Sequence, residues 1–397
     1  MSTAGAGATS RRITIIGGGI AGLTAAISCA EGGASVTVLE AHGGLGGRAR
    51  SDDGPYKANF GPHALYSDGP FWRWLATRKL LPSCAGVPLA SVRLRWQGEM
   101  RRMPPLGAIL PALRMRGREA PVDLDFRTWA TEHTNERMAA LASGAAGVYT
   151  FHHDPGELSA AFIWPRTIRS LLSPPPPARY PVGGWGALVD SLARRARELG
   201  VALETGERVQ GLPAPPVIVA TELTDAGRLL GDASLSWLSG RTVCVDLGLR
   251  HRRGDPFVVS DCDEAGWIER FSAADSSLAP DGEELVQAQM PIRPGESSDQ
   301  TALRLERLLD ESLPAWRERT TWQRRQVMDG RSGALDMPGQ SWRDRPAVDR
   351  GDGVFLAGDM VAAPGLLSEV SWASAIEAGK LALGYAAASR PSLRSVA

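Results

Sequence analysis

The sequence is short of lysine, of closely spaced cysteines and of long apolar runs, and each shortage removes a class of function. Only three lysines occur in 397 residues, Lys57, Lys79 and Lys380. Basic and acidic side chains balance at 44 each, for a formal net charge of zero. With no basic run or face, nucleic-acid binding has no electrostatic support. The four cysteines, Cys29, Cys84, Cys244 and Cys262, form no CxxC pair. They read as reduced thiols of a cytoplasmic protein. His152-His153-Asp154 is a poor metal site: adjacent histidines on a helix point apart, so a solvated helix end or loop is the expectation. No stretch approaches the ~18 apolar residues of a membrane-spanning helix. Residues 1–11 lack the apolar core of a secretory signal and read as a flexible N-terminus. No internal repeat is visible, which excludes a solenoid.

What is there begins at Ile13. Ile13-Thr14-Ile15-Ile16 is a β-branched run, as expected of a buried parallel strand. Gly17-Gly18-Gly19-Ile20-Ala21-Gly22 follows at once. In that spacing Gly17 permits a tight turn, Gly19 lets a pyrophosphate approach the backbone, and Gly22 lets the next helix pack close to the strand. The helix spans Ala21 to Glu31 and stops at Gly32-Gly33. Its first N–H groups and positive dipole end suit phosphate. Val36 to Leu39 is the next strand. Glu40 ends it, about twenty residues past the glycines, where an acid accepts hydrogen bonds from ribose hydroxyls. Strand, glycines, helix, strand and acid in register point to a dinucleotide.

The next segment, Gly43-Gly44-Leu45-Gly46-Gly47-Arg48-Ala49-Arg50-Ser51, resembles the GG-R-S doublet of the FAD-dependent amine oxidase, phytoene desaturase and protoporphyrinogen oxidase superfamily. Bacterial phytoene-dehydrogenase-related oxidoreductases are the most similar branch, on Gly61-Pro62-His63-Ala64-Leu65-Tyr66 and Pro364-Gly365-Leu366-Leu367. Two more blocks carry the resemblance across most of the chain. Tyr180-Pro181-Val182-Gly183-Gly184-Trp185-Gly186 opens a helix, Ala187 to Leu199, and is followed by a strand, Val201 to Thr205. Gly353-Val354-Phe355-Leu356-Ala357-Gly358-Asp359 resembles the second FAD motif and precedes a helix, Ser371 to Leu383.

The resemblance implies noncovalent FAD. Gly17, Gly19, Gly22, Glu40, Gly47, Val209, Gly358 and Asp359 would hold it. Arg48 would pair with the pyrophosphate, a role that suits a planar, doubly donating fork. Trp372 would offer its backbone N–H to the flavin edge at a helix start. His63 is the one named candidate for acid or base work.

The fold class expected is α/β: a Rossmann-type domain interleaved with an α+β substrate-binding domain. The boundaries read as 12–69, 178–235 and 345–390 for the FAD-binding domain, with 70–173 and 236–344 between them. Residues 70–173 look mostly helical. Thr242 to Leu249, Phe257 to Ser260, Trp267 to Ser272 and Glu284 to Met290 look like strands, and Asp299 to Leu313 like an amphipathic helix. Only Gln210 to Pro216 separates Val209 from the strand at Val217, so the β-meander usual in the superfamily is trimmed to a loop.

No second GxGxxG follows a strand, so electrons are expected from the substrate. The expected activity is hydride transfer from a C–C (or C–N) bond of a hydrophobic small molecule to flavin N5. Oxygen, a quinone or another acceptor would then reoxidise the flavin. An amine or amino-acid oxidase making peroxide is the alternative, though the lysine and paired aromatics usual in such enzymes have no match here. A redox-neutral isomerase and a noncatalytic flavin-binding partner protein are further alternatives. Trp72, Trp74, Trp129 and Trp164 read as core, and Asp190 with Arg194 as a helix-surface ion pair. Leu106 to Met115, flanked by arginines, reads as a solvated helix, with a peripheral membrane contact the lesser alternative. Oligomeric state is not legible.

Overall fold

The computed structural model describes residues 11–61, 64–88, 91–102, 111, 113–173 and 175–388. Its strands begin with β1 (Arg11–Ile16), β2 (Ala34–Glu40), β3 (Leu65–Tyr66), β4 (Cys84–Gly86), β5 (Val92–Trp96) and β6 (Glu99–Arg101). Next come β7 (Ala178–Pro181), β8 (Ala202–Thr205), β9 (Val217–Val219) and β10 (Ser239–Arg250). The last are β11 (Val258–Asp261), β12 (Gly266–Arg270), β13 (Glu283–Pro291), β14 (Thr320–Ala334) and β15 (Val354–Leu356). Five longer helices are α1 (Ile20–Glu31), α2 (Ala160–Leu171), α3 (Gly184–Glu198), α4 (Ser298–Ser312) and α5 (Ser368–Ala388). No helix among the described residues is long and apolar enough to cross a membrane.

The chain divides into two compact units. The first comprises residues 1–47, 189–236 and 346–397, and the second 48–188 and 237–345. The sequence reading had grouped 48–69 and 178–188 with the first. They belong to the second because β7 pairs with β3 and β4, and because Lys57 donates its backbone N–H to Leu278.

The first unit holds a five-stranded sheet in the order β15-β9-β1-β2-β8, parallel throughout. Its central strands are short and β-branched, which suits burial on both faces. Helix α1 packs against α5 with little room between them. Cys29 of α1 lies against Gly379 of α5, and burial pushes its thiol up to about 12. The adenine-side connection carries no strand between β8 and β9, as the trimmed meander predicted.

The second unit is built on a seven-stranded sheet in the order β14-β10-β13-β12-β11-β5-β6. Along β10, Val243, Val245, Leu247 and Leu249 face one way, and Cys244, Asp246 and Gly248 the other. The apolar face joins Val286, Ala288 and Met290 of β13 and is covered by Ala302, Leu305, Leu308 and Leu309 of α4. Spacing of three and four residues puts those α4 side chains on one stripe. A capping box fixes the start of α4: Ser297 accepts from Gln300 N–H, and the Gln300 side chain accepts from Ser297 N–H.

Four differences from the sequence reading stand out. Residues 70–173 are helical only in part, because β4, β5 and β6 lie there and β5 pairs in parallel with β11. The strand expected to run to Ser272 stops at Arg270, and Phe271–Ala273 turn as a 3-10 helix. The 15-residue β14 was missed altogether. Arg194 pairs with Glu198 at 2.7 Å rather than with Asp190. Trp74, Trp129 and Trp164 are core residues, with Trp129 and Trp164 rings 5.4 Å apart.

Leu305 is fully buried between α4 and the sheet. Leu305→Ala should therefore cost about 2–5 kcal/mol by lost transfer and a residual cavity. Denaturant unfolding would measure it, and a loss below 1 kcal/mol would show that α4 does not carry this core.

Candidate cofactor site and the polar sheet face

In the first unit the glycine turn is packed backbone on backbone. Gly17 has φ +105° at the end of β1, and a Cβ there would sit 2.6 Å from the Ala220 carbonyl oxygen. A Cβ at Gly22 would run into the carbonyl of Gly17. Gly19 is the extended residue before α1, and no side chain caps that helix start. The N-terminal N–H groups of α1 thus have no side-chain acceptor, which suits a pyrophosphate.

Glu40 ends β2 and is 5% exposed. Its Oε2 accepts from Gly18 N–H at 2.7 Å, and its Oε1 from His42 N–H at 2.8 Å. Each carboxylate oxygen can accept more than one hydrogen bond, so ribose hydroxyls can still be met. The glycine doublet runs alongside: Gly46 N–H donates to the Gly18 carbonyl at 2.8 Å, and Gly47 approaches Gly19. After β8, Gly206 and Glu207 donate to the carbonyls of His42 and Glu40, which brings the half-buried Val209 to this edge. These residues fit a dinucleotide by their uncapped helix start, close backbone and buried acid.

Other expected residues are placed as follows. Gly358 is clamped to α5, its N–H donating to the Ser374 hydroxyl at 2.9 Å, and the half-buried Asp359 follows it. Helix α5 opens at Ser368, not at Ser371. The backbone N–H of Trp372 therefore falls beyond the unsatisfied groups of the helix start and into the helical ladder. This corrects the expectation that it is a free donor. Arg48 lies on the 3-10 turn Gly47–Ala49 in the second unit, and its guanidinium donates to the Arg331 carbonyl of β14. His63 lies outside the described residues, as does most of Leu106 to Met115. His152 bonds the Asp154 carbonyl through Nδ1 at 2.9 Å, and no metal-holding group of His, Cys, Asp and Glu exists among the described residues.

The sequence reading missed the polar face of the second unit's sheet. Arg324, Asp246, Gln287 and Glu269 stand side by side on β14, β10, β13 and β12. Asp246 is fully buried and accepts from Gln287 Nε2 at 2.6 Å, Arg324 Nε at 2.6 Å and Gln326 Nε2 at 3.1 Å. Arg324 also meets Asp52, and donates to the Asn59 carbonyl at 2.7 Å. Burial raises the Asp246 carboxyl above its ordinary range, with Arg324 opposing. Glu269 accepts from the Tyr180 hydroxyl and from Trp267 Nε1 at 3.2 Å. Burial pushes its pKa up to about 7. The signal available in the sequence was polar residues at every second position of otherwise apolar strands, Gln287 and Gln289 among them.

Two outcomes follow from this geometry. Gly22→Ala should distort the turn at a cost of about 1–3 kcal/mol and weaken retention of a nucleotide cofactor, whereas Gly44→Ala, which points into open space, should do neither. Thermal melts and flavin absorbance after gel filtration would read both. For Glu269, the folded and unfolded chains are both protonated below the ordinary value of 4.5. As pH rises toward about 7 the unfolded chain loses the proton first, so stability falls across that window and stays lower above it. Glu269→Gln should remove that fall, about 3 kcal/mol in all. Denaturation of both proteins at the two ends of the window tests it, and parallel curves would refute it.

Comparison with known proteins agrees with this architecture. Residues 15–77 match the family described as NAD(P)-binding Rossmann-like domain. An L-amino-acid oxidase from Siganus canaliculatus is 38% identical over 71 residues, which span 17% of this chain and 14% of that relative. An oxidoreductase from Methanosarcina mazei aligns with a TM-score of 0.75 at 14% identity, covering 93% of this chain and all of the other. Cyclohexylamine oxidase from Brevibacterium oxydans IH-35A aligns with a TM-score of 0.69 at 16% identity, covering 95% and 98%. Residues 15–77 are thus similar to a Rossmann-like domain, and the chain has the α/β fold of these solved structures, the fold its motifs led one to expect.

Proposed function

We propose that the protein is an FAD-dependent oxidoreductase that oxidises a C–C or C–N single bond of a small, largely apolar substrate to a double bond, with a hydride lost from a carbon and a proton from the neighbouring atom to solvent or a base. The observation that carries this reading is the paired arrangement of an uncapped α1 start and a buried Glu40, both fixed by Gly18. When bound, FAD supplies the two-electron acceptor. Glu40 would orient the adenosine ribose, and the first turn of α1 would face the pyrophosphate. Asp359, at the end of β15, would take a hydroxyl of the ribityl chain.

The charges of the polar sheet face support an uncharged substrate. Arg324 is engaged by Asp246, Asp52 and Asn59, and Glu269 by Tyr180 and Trp267. Arg324 is thus matched by carboxylates and a carbonyl, and Glu269 by neutral donors, so neither of these two groups is left to recognise an ion. Beside them Trp322, half-buried, stacks on the buried Tyr56 ring with centres 5.2 Å apart, so the apolar character of this face rests on Trp322.

The test needs no substrate. The purified flavoprotein is photoreduced without oxygen, air is admitted, and the return of oxidised flavin absorbance is followed. Recovery over many minutes is expected of a dehydrogenase. Recovery within seconds would instead favour an oxidase and send the search to amines. A protein that takes up no FAD would overturn the reading. Glu40→Arg should weaken FAD retention about tenfold or more, because a charged acceptor is replaced by a donor; unchanged retention would show that the adenosine site is elsewhere.

A further inference from the structure

Strand β14 occupies one margin of the seven-stranded sheet. It pairs with β10 on one side, and among the described residues no strand pairs with the other. A long open edge is a template for another strand. Natural edges of this length are usually shortened, kinked or covered. Here the ladder with β10 runs unbroken from Gly248–Trp322 to Arg241–Asp329; its register shifts lie outside that stretch, where Gly330 and Gly333 take φ of +69° and +89°. At its far end the Arg331 carbonyl is taken by Arg48. The regular stretch that stays open therefore includes Arg325-Gln326-Val327-Met328-Asp329. Val327 in its middle is 49% exposed, an apolar side chain half open to solvent.

We propose that β14 is an interface for a second copy of this chain, pairing antiparallel with its own counterpart about a two-fold axis at Val327. The charge sequence selects both the partner and the register. In an antiparallel pair centred on Val327, Arg325 of each copy stands opposite Asp329 of the other. Two opposite-charge pairs form on the same face as the central valines. Gln326 then faces Met328, and Gln323 faces Arg331, so no like charges meet. A register centred between Arg324 and Arg325 would place arginines directly against each other, which is destabilising. Such self-complementarity is what an isologous two-fold contact requires, since the same patch must serve both partners. The two Val327 side chains would cover each other.

Arg325 now pairs with Asp299 at 2.8 Å and Asp329 with Arg241 at 3.0 Å. These are exposed pairs, which contribute little and can be exchanged at small cost. The paired stretch is short, so the dimer is expected to be weak, concentration-dependent and loosened by salt.

Sedimentation of the flavin-loaded 397-residue chain across a range of concentrations should show a monomer–dimer equilibrium. Val327→Cys gives the decisive geometry, because only the central residue of an antiparallel pair meets itself. Mild oxidation should convert Val327→Cys to a disulfide-linked dimer, while Gln323→Cys, which would face Arg331 of the other copy, and the wild type should stay uncrosslinked. Cys29, Cys244 and Cys262 are buried, and Cys84 is half-buried, so the wild type serves as the background control. Arg325→Asp should weaken association about tenfold, and Arg325→Asp with Asp329→Arg should restore it. A monomer at every concentration overturns the proposal. So does a dimer in which Val327→Cys fails to crosslink, or one that Arg325→Asp leaves unchanged. All sites mutated are exposed, and circular dichroism with flavin retention confirms that each variant is folded.

Discussion

The structure of the first unit depends on one steric constraint, the contact of the Gly17 carbonyl with the Cα face of Gly22. A Cβ on Gly22 would run into that carbonyl, and one on Gly17 into the carbonyl of Ala220. Because they can touch, α1 starts directly above the end of β1. Because α1 starts there, Gly18 is turned so that its N–H meets Glu40 on the neighbouring strand. Strand β1 is flanked in parallel by β9 and β2, whose connections leave in opposite directions across the sheet. That arrangement opens a crevice at the carboxyl end of β1, where nucleotides bind in doubly wound sheets. The turn, the acid and the crevice are thus one consequence of glycine spacing.

The second unit solves a different problem. Its sheet must bury one face against α4 and yet carry ionisable groups on the other. Alternation along β10 does both, with valine and leucine on odd positions and Asp246 among the even ones. Burying Asp246 and Glu269 costs desolvation, which is why both carboxyls are pushed above their ordinary range. The cost is tolerable because each is given donors: Arg324, Gln287 and Gln326 for Asp246, Tyr180 and Trp267 for Glu269. A row so interlocked fixes the register of four strands as well as the character of the surface.

How much of this was legible follows from the range of the interactions. The glycine turn, Glu40 and the β1-α1-β2 order are encoded within one short segment, and each has a local steric reason. They could be read directly, and so could α4 from its apolar stripe. The polar row could not. Tyr180 and Glu269 lie far apart in sequence, as do Asp52 and Arg324, and only the sheet brings them together. Strand β14 escaped because its outward residues are as polar as a loop, the signature of an edge rather than of irregular chain. Strand β5, Val-Arg-Leu-Arg-Trp, shows the same ambiguity. The start of α5 was misplaced because Leu366-Leu367-Ser368-Glu369 offers no strong cap, although the Glu369 carboxylate accepts from Leu366 N–H at 3.1 Å and closes the turn.

The trimmed connection between β8 and β9 shows what such a chain can omit. A meander at that point would cover the adenine end of a bound dinucleotide. Residues 206–216 instead form a loop whose first N–H groups bond the carbonyls of His42 and Glu40. The end of β2 is therefore held twice, through its carboxylate by Gly18 and through its backbone by Glu207. Holding Glu40 still spares the ordering entropy that a mobile acceptor would lose on binding. Shielding the adenine ring contributes apolar burial but sets no geometry. A loop that keeps the first and gives up the second can shorten the chain without moving the site.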